Sequence, residues 1–374
     1  MPPTSGAQNG SPPRIPPTAV VKRAFALRSR MRRAADAMLP PQGITAERTF
    51  LLAEIKLLGV ACELGIPDAI DRGSTTSSTI ASAVGAQADP VERVLRFLAS
   101  RGWFRRRKDG SYRLNARSRA LRRDDPESLE AWVAFMAADW HWDMWNNVAS
   151  SVRTGESAAR VTTGKPFFEW IHDDRPDAGA TFDAAMHSLS SVAGPLVVKA
   201  VDLDGVSSVC DVGGGTGRLL RSVLEAKPEA TGTVFDLPDV VAGAPDVFTR
   251  FPTARWTATG GSFFEAGQIP TDHDRYLLQA ILHDWGDDDA GRILDNLRAA
   301  MPTGAKVWVV DSILDPDERD DLSKAVDVLM LTLTEGGRER TEPEWDRLFA
   351  AHGFRVESRV QLPLLIWLQT LVAT

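Results

Sequence analysis

The sequence predicts an α/β protein in two parts: a mainly helical first half carrying a winged-helix unit, then a mostly parallel sheet of seven strands covered by helices. Three observations predict it. After Val206, short apolar runs alternate with amphipathic stretches, the pattern of strand–helix–strand units. Between Thr75 and Leu121, two short helical patterns precede two β-rich runs that flank the turn signal Asp109-Gly110. The 374 residues also exceed what one hydrophobic core usually spans.

Composition narrows the class further. With 43% hydrophobic residues and 25% charged residues, the chain is an ordinary globular protein, not a collagenous, disordered or disulfide-framed one. The apolar run Leu362 to Leu368 is too short to span a bilayer, so no membrane partner is expected. The formal charge of −7 argues against nucleic acid as a partner. Cys62 and Cys210 lie far apart without metal-ligand spacing, which fits a reducing cytoplasm.

The elements follow in order. Residues 1–40 are expected to form a flexible arm, proline-rich at first and purely basic in charge from Arg14 to Arg33. Residues 41–125 are assigned to the winged-helix domain. Leu51, Leu52, Ile55, Leu58 and Leu64 predict one helix over 45–70. Thr79 to Val84 is a short helix, and Asp89-Pro90 starts another, with Asp89 as its cap and Pro90 in the first position. Val91, Val94, Leu95 and Leu98 line one face of that helix, and Gly102 ends it. Trp103-Phe104 and Tyr112-Arg113-Leu114 form the wing. Residues 126–200 read as a helical linker and pocket region, rich in tryptophan from Trp132 to Trp170. Residues 201–374 hold the sheet, with strands expected at 207–212, 232–236, 255–259, 275–282, 305–314, 354–361 and 364–373.

The first strand of that sheet runs into Asp211-Val212-Gly213-Gly214-Gly215-Thr216-Gly217, and a helix opens at Arg218. Glycines there let main-chain N–H groups approach a ligand at a helix N-terminus. The spacing fails the dinucleotide pattern, because Arg218 stands at the third glycine position, and the Lys of a phosphate-binding Walker loop is missing. An acid at the loop's entrance repels a pyrophosphate but suits a cationic amino-acid group. Asp236 ends the next strand, where a carboxylate accepts both hydroxyls of a ribose. Ribose, positive charge and no phosphate together describe S-adenosylmethionine.

Gly213, Asp236, Ser262, His283 and Asp311 all fall at carboxyl ends of the expected strands, where open α/β sheets bind ligands. His283, alone of the 6 histidines, stands where cofactor and acceptor should meet. A neutral imidazole with a pKa of about 6.5 can take a phenolic proton during methyl transfer. Its tautomer needs an orienting partner, and Asp311 and Glu339 are the candidates. Asp287-Asp288-Asp289 reads as the acidic first turn of a helix, not as a metal site, and no metal is expected. Thr341 and Glu344 form a capping box. Among the bulky residues, Met136, Trp140, Met186 and Met330 are candidates for the wall of a flat aromatic pocket.

These motifs, with Phe235-Asp236-Leu237-Pro238, Gly261-Ser262-Phe263-Phe264, Leu282-His283-Asp284-Trp285 and Gly336-Gly337-Arg338-Glu339-Arg340-Thr341, make the chain resemble the plant-type (caffeic-acid-type) small-molecule O-methyltransferases, particularly the bacterial natural-product branch. The resemblance covers about residues 45–374. It implies a Rossmann-like S-adenosylmethionine-dependent methyltransferase domain, preceded by a winged-helix domain that forms a homodimer and closes the partner's site. Carried over, the cofactor set is Asp211, Gly213, Gly215, Asp236, Leu237, Ser262, Phe263, Gln279 and Trp285. His283 is the general base with Asp311 and Glu339 as paired acids, and Asp284 joins the substrate side. The chain departs from the family pattern at Ser262 (usually Asp), Gln279 (frequently Lys) and Asp311 (commonly Glu). The implied reaction methylates a hydroxyl of a small aromatic or polyketide-like molecule. Alternatives are hydroxylation or decarboxylation with the same cofactor, N- or C-methylation, and a DNA-binding regulator using Arg105-Arg106-Arg107-Lys108 in the wing.

Overall fold

The computed structural model describes residues 18–317, 322–363 and 366–374. The proline-rich stretch 1–17, and Leu364 and Leu365 of the last expected strand, lie outside these residues.

Strands β1 (Phe104–Arg106) and β2 (Tyr112–Leu114) pair antiparallel as the wing, with Phe104 opposite Leu114. They pack with helices Ser77–Val84 and Ala88–Ser100 around buried Leu58, Ile66, Ile80, Leu95, Leu98 and Tyr112. Three details differ from expectation. The helix expected over 45–70 is three helices, Pro41–Thr49, Leu51–Glu63 and Ile66–Asp71, and Gly65 at φ +70° makes the second break. Asp89 is not the cap. The helix starts at Ala88 after Gln87, which leaves Pro90 still within the first turn, where a missing N–H costs nothing. Trp103 stays outside the hairpin and donates its indole N–H to Glu54 at 2.7 Å. The arm expected to be flexible is helical from Thr18 to Asp36, and its Lys22 ammonium lies 4.9 Å from the Trp367 ring centre.

The large sheet has the order β5-β4-β3-β6-β7-β9-β8. Its strands are β3 (Ser208–Val212), β4 (Thr231–Asp236), β5 (Trp256–Gly260), β6 (Arg275–Gln279), β7 (Lys306–Ser312), β8 (Phe354–Gln361) and β9 (Ile366–Ala373). The first five run parallel, while β9 runs antiparallel to both β7 and β8. Helix Arg218–Ala226 buries Leu219, Leu220 and Val223 on one face, and helix Asp287–Ala300 buries Ile293, Leu294 and Leu297 on the other. With both faces covered, β3, β6 and β7 are near-continuous buried apolar runs. The chain winds outward from β3 through β4 to β5, then returns to place β6 on β3's other side. A crevice opens at such a reversal, outside the carboxyl ends of the strands.

Over that crevice lies helix Pro176–Ala200, together with an aromatic cluster built from Phe135, Phe167, Ile171 and Ala185. Leu329, Met330 and Leu333 of helix Leu322–Leu333 complete the same cluster, so the tryptophan-rich region shares a core with the C-terminal part.

Candidate active site

The carboxyl ends of β3 to β6 frame a cavity of about 390 Å³. Its floor is the glycine loop. Gly213 and Gly215 sit at φ +70° and +61°, a left-handed conformation that penalises residues with a Cβ. At Gly214 a Cβ would lie 2.5 Å from the Asp211 carboxyl carbon. The N–H groups of Gly213 and Gly214 donate to the Phe235 carbonyl at 2.8 and 3.3 Å, which ties the loop to β4.

Two carboxylates flank this floor. Asp211 is buried, and its Oδ2 has no hydrogen-bond partner among the described residues. Burial, helped by the charge of Asp236, pushes its carboxyl up to about 7. Asp236 accepts the Gly215 and Leu237 N–H groups at 2.8 and 2.7 Å. Burial raises its pKa despite those two bonds. An ionised carboxylate has lone pairs left for further donors, as a ribose diol requires. Leu237, Ser262, Phe263, Gln279 and Trp285 also line the cavity, so all nine residues of the expected cofactor set reach it. Ser262 accepts the Phe264 N–H on its hydroxyl oxygen at 3.2 Å, leaving the hydroxyl proton to donate. An orphaned buried carboxylate oxygen, a cradle that a Cβ would fill and a second carboxylate at the next strand end fit S-adenosylmethionine.

The catalytic candidates meet beside this cavity. Strand β6 ends at Gln279, earlier than expected, because Ala280 turns the chain at φ +53°. His283 therefore sits in a short 3-10 turn, Leu282–Asp284. Its Nδ1 lies 2.8 Å from Glu339 Oε1 and 3.7 Å from Asp311 Oδ1, and its Nε2 lies 3.5 Å from Asp284 Oδ1. Both oxygens of Asp311 and the Oε2 of Glu339 are buried without a hydrogen-bond partner among the described residues. For His283, burial acts to lower the pKa, but the charges of Asp311, Glu339 and Asp284 outweigh it and hold the imidazole at about 10. Burial in turn pushes Asp311 up to about 7 and Asp284 up to about 6. The imidazole is thus far more basic than the ordinary value of about 6.5 that its sequence position suggested.

His283 does not itself line the cavity, whereas its neighbours Ile281, Asp284 and Trp285 do. Its side chain is 13% exposed, with Glu339 and Asp311 at Nδ1 and Asp284 at Nε2. Of the substrate candidates, Met186 and Asp284 are on the wall. Met136, Trp140 and Met330 are not. Their large apolar side chains sink into the aromatic cluster, where Trp140 packs against Phe135 and Trp170 at 5.7 and 5.8 Å. Phe168 and Phe182 form the wall instead, and Phe168 stacks on Trp285 at 5.6 Å.

The sequence reading missed His172, Asp183, His187, Thr216 and Arg218, which also line the cavity. His187 Nε2 is hydrogen-bonded to the Thr216 hydroxyl. Burial and the charge of Arg218 lower the pKa of His187 to about 4, so it is neutral. The signal was the helical i, i+4 spacing of Phe182 with Met186 and of Asp183 with His187. Asp287, Asp288 and Asp289 form the first turn of helix Asp287–Ala300, as expected. Among the described residues, no helix is long and apolar enough to cross a membrane.

Comparison with known proteins agrees with this geometry. Residues 145–355 match the O-methyltransferase domain, and residues 48–124 match the O-methyltransferase dimerisation domain. The mitomycin biosynthesis 6-O-methyltransferase of Streptomyces lavendulae is 38% identical over 305 residues, 81% of this chain and 86% of that one. The crystal structure of human N-acetylserotonin methyltransferase in complex with S-adenosylmethionine superposes with a TM-score of 0.81 at 26% identity, covering 90% of this chain and 98% of that one. An O-methyltransferase from neocarzinostatin biosynthesis, in complex with S-adenosylmethionine and 2-hydroxy-5-methyl naphthoic acid, superposes with a TM-score of 0.70 at 31% identity, over 86% and 96% of the two chains. With both its O-methyltransferase domain and its dimerisation domain matched, and a relative 38% identical over 81% of its length, the chain belongs to the O-methyltransferase family.

Proposed function

We propose that the protein is an S-adenosylmethionine-dependent O-methyltransferase that methylates a hydroxyl of a small aromatic or polyketide-like natural product, with His283 as general base. The observation that carries the base assignment is the 2.8 Å bond between His283 Nδ1 and Glu339, beside a cavity with a glycine floor. Asp236 would hold the ribose, Gly213 and Asp211 the amino-acid end, and Ser262 with Phe263 the adenine. When bound, the cofactor supplies an electrophilic methyl group on a positively charged sulfur.

The rest is done by the chain's own residues. Phe168, Phe182, Met186 and Trp285 offer flat apolar contacts that orient an aromatic acceptor and exclude water. Glu339 accepts the Nδ1 proton of His283 and so leaves Nε2 to take the acceptor's hydroxyl proton. The acids around His283 raise its basicity toward that of a phenolate, which lowers the cost of taking a phenol's proton. Relatives named for mitomycin and phenazine methylation support an aromatic acceptor.

The remaining assignments belong to the same reading. The chain works as a homodimer through its N-terminal domain, supported by the dimerisation-domain match and by exposed Leu27, Met31, Phe50, Leu51 and Leu52. The assignment of a winged-helix domain to about residues 41–125, apart from the sheet domain, is supported by the distinct cores of the two. Free, buried Cys62 and Cys210 fit a cytoplasmic enzyme.

The test is to incubate the protein with labelled S-adenosylmethionine and a panel of phenolic natural products. The product gains the mass of one methyl group. In His283→Ala, cofactor binding persists while turnover falls by about 10²–10⁴. Near-normal turnover in that variant would remove His283 from the base role.

A further inference from the structure

We propose that Arg340 is a positioning residue that sets the reach of the catalytic imidazole by gripping the main chain of its loop. The proposal rests on the assignment of His283 as the base. Arg340 is 1% exposed, yet it carries a full positive charge. Its Nη1 donates to the Leu282 carbonyl at 2.9 Å and its Nη2 to the Trp285 carbonyl at 2.8 Å. These two carbonyls bracket His283 and Asp284. The Nε donates to Asp287 Oδ1 at 2.8 Å, at the first residue of the next helix, and the guanidinium lies 5.1 Å from the Trp345 ring centre.

The neighbours of Arg340 complete the grip. Glu339 holds the imidazole Nδ1, and the Arg338 N–H donates to the His283 carbonyl at 2.8 Å. One tripeptide therefore fixes the base by its ring and by three main-chain carbonyls. The two segments approach so closely that a Cβ at Gly337 would lie 2.6 Å from the Asp284 carbonyl oxygen. A guanidinium suits this task because its planar fork serves two carbonyls and a carboxylate at once, which a lysine ammonium at a single point does not reproduce. Its charge also faces the buried acids of the site and acts to lower the raised carboxyl of Asp311.

The experiment compares Arg340→Gln, Arg340→Lys and Asp287→Asn in the full chain. Acceptors are chosen whose hydroxyl pKa runs from about 7 to about 10, bracketing the phenol value. Asp287 is 66% exposed, so its substitution loosens the fork's outer anchor without threatening the core. Cofactor affinity is measured by calorimetry and kcat for each acceptor. A misplaced base costs on the order of 10²-fold in kcat for the weakly acidic acceptor. For the acidic acceptor, which ionises unaided, the loss stays below about tenfold, and cofactor affinity changes by less than about twofold. Arg340→Lys recovers part of kcat, and Asp287→Asn shows the same dependence on acceptor pKa at smaller amplitude.

Loss of equal size across all acceptors, in either Arg340→Gln or Asp287→Asn, would overturn the proposal and leave Arg340 a packing residue. Unchanged kcat in a folded Arg340→Gln would overturn it as well. Near-normal turnover of His283→Ala on the same acceptors is a separate outcome, and it strikes the His283 reading instead.

Discussion

Three acids decide how basic His283 is. Burial alone would make the imidazole easier to deprotonate, but Asp311, Glu339 and Asp284 hold it at about 10. The sign for activity follows. The base must be free of its proton before it can accept one, so kcat/KM should still be climbing with pH above about 7, toward 10. An unassisted histidine would level off above about pH 7. Glu339→Gln removes one negative charge and the partner that fixes the tautomer. It should move the rising limb to lower pH while cutting the maximal rate by about 10–10². Profiles of kcat/KM for both proteins with one acceptor check this, and a native profile flat above pH 7 would contradict it. In the sequence, Asp311 stood out as a strand-end polar group, and Asp284 and Glu339 as members of two family motifs. Their joint effect did not, since Asp311 and Glu339 arrive from β7 and from the loop before helix Glu342–Ala351, and no spacing rule gives the distance between such segments.

At the scale of elements, the glycine loop was legible and the strand that follows it in the sheet was less so. Strand β6 was expected to reach Leu282 because Ile281 and Leu282 continue its apolar run. Those side chains are apolar for another reason. Leu282 is buried in the core beneath helix Asp287–Ala300, and Ile281 packs over the loop within 2.5 Å of where a Gly213 Cβ would stand. The apolar run marked burial, and only the left-handed Ala280 marked the end of the strand. Gly213→Ala should therefore suffer twice. The left-handed backbone costs about 1–2 kcal/mol, and the new methyl pushes Ile281 out of the cavity wall. We expect cofactor affinity to fall about tenfold or more by calorimetry. An unchanged Kd would mean that the loop tolerates a side chain and that the glycine serves no close approach.

Across the whole molecule, the aromatic cluster couples the helical middle of the chain to the sheet domain, a link that local pattern hid because Met330 read as a pocket wall. At its centre is His141, fully buried, with Nδ1 3.0 Å from the Phe135 carbonyl and Nε2 accepting the Trp145 indole N–H at 2.9 Å. Those two bonds specify the neutral tautomer, and burial pulls the pKa down to about 4. The unfolded chain takes up this proton near 6.5, so between about 6.5 and 4 it binds a proton that the folded state refuses. Stability should fall as pH drops through that window, by about 3 kcal/mol from this group, and lose nothing more from it below about 4. His141→Gln retains a donor for Phe135 and an acceptor for Trp145 but does not titrate. Urea unfolding at pH 7 and pH 4.5 should show a smaller acid loss in the variant than in the native chain. Phe168, Phe182 and Met186 belong both to this cluster and to the cavity wall. Acid that loosens the cluster should therefore weaken cofactor binding in the same window, and the variant should resist it. Equal acid sensitivity in the two proteins would place the titrating groups elsewhere and break the link from this histidine to the roof of the site.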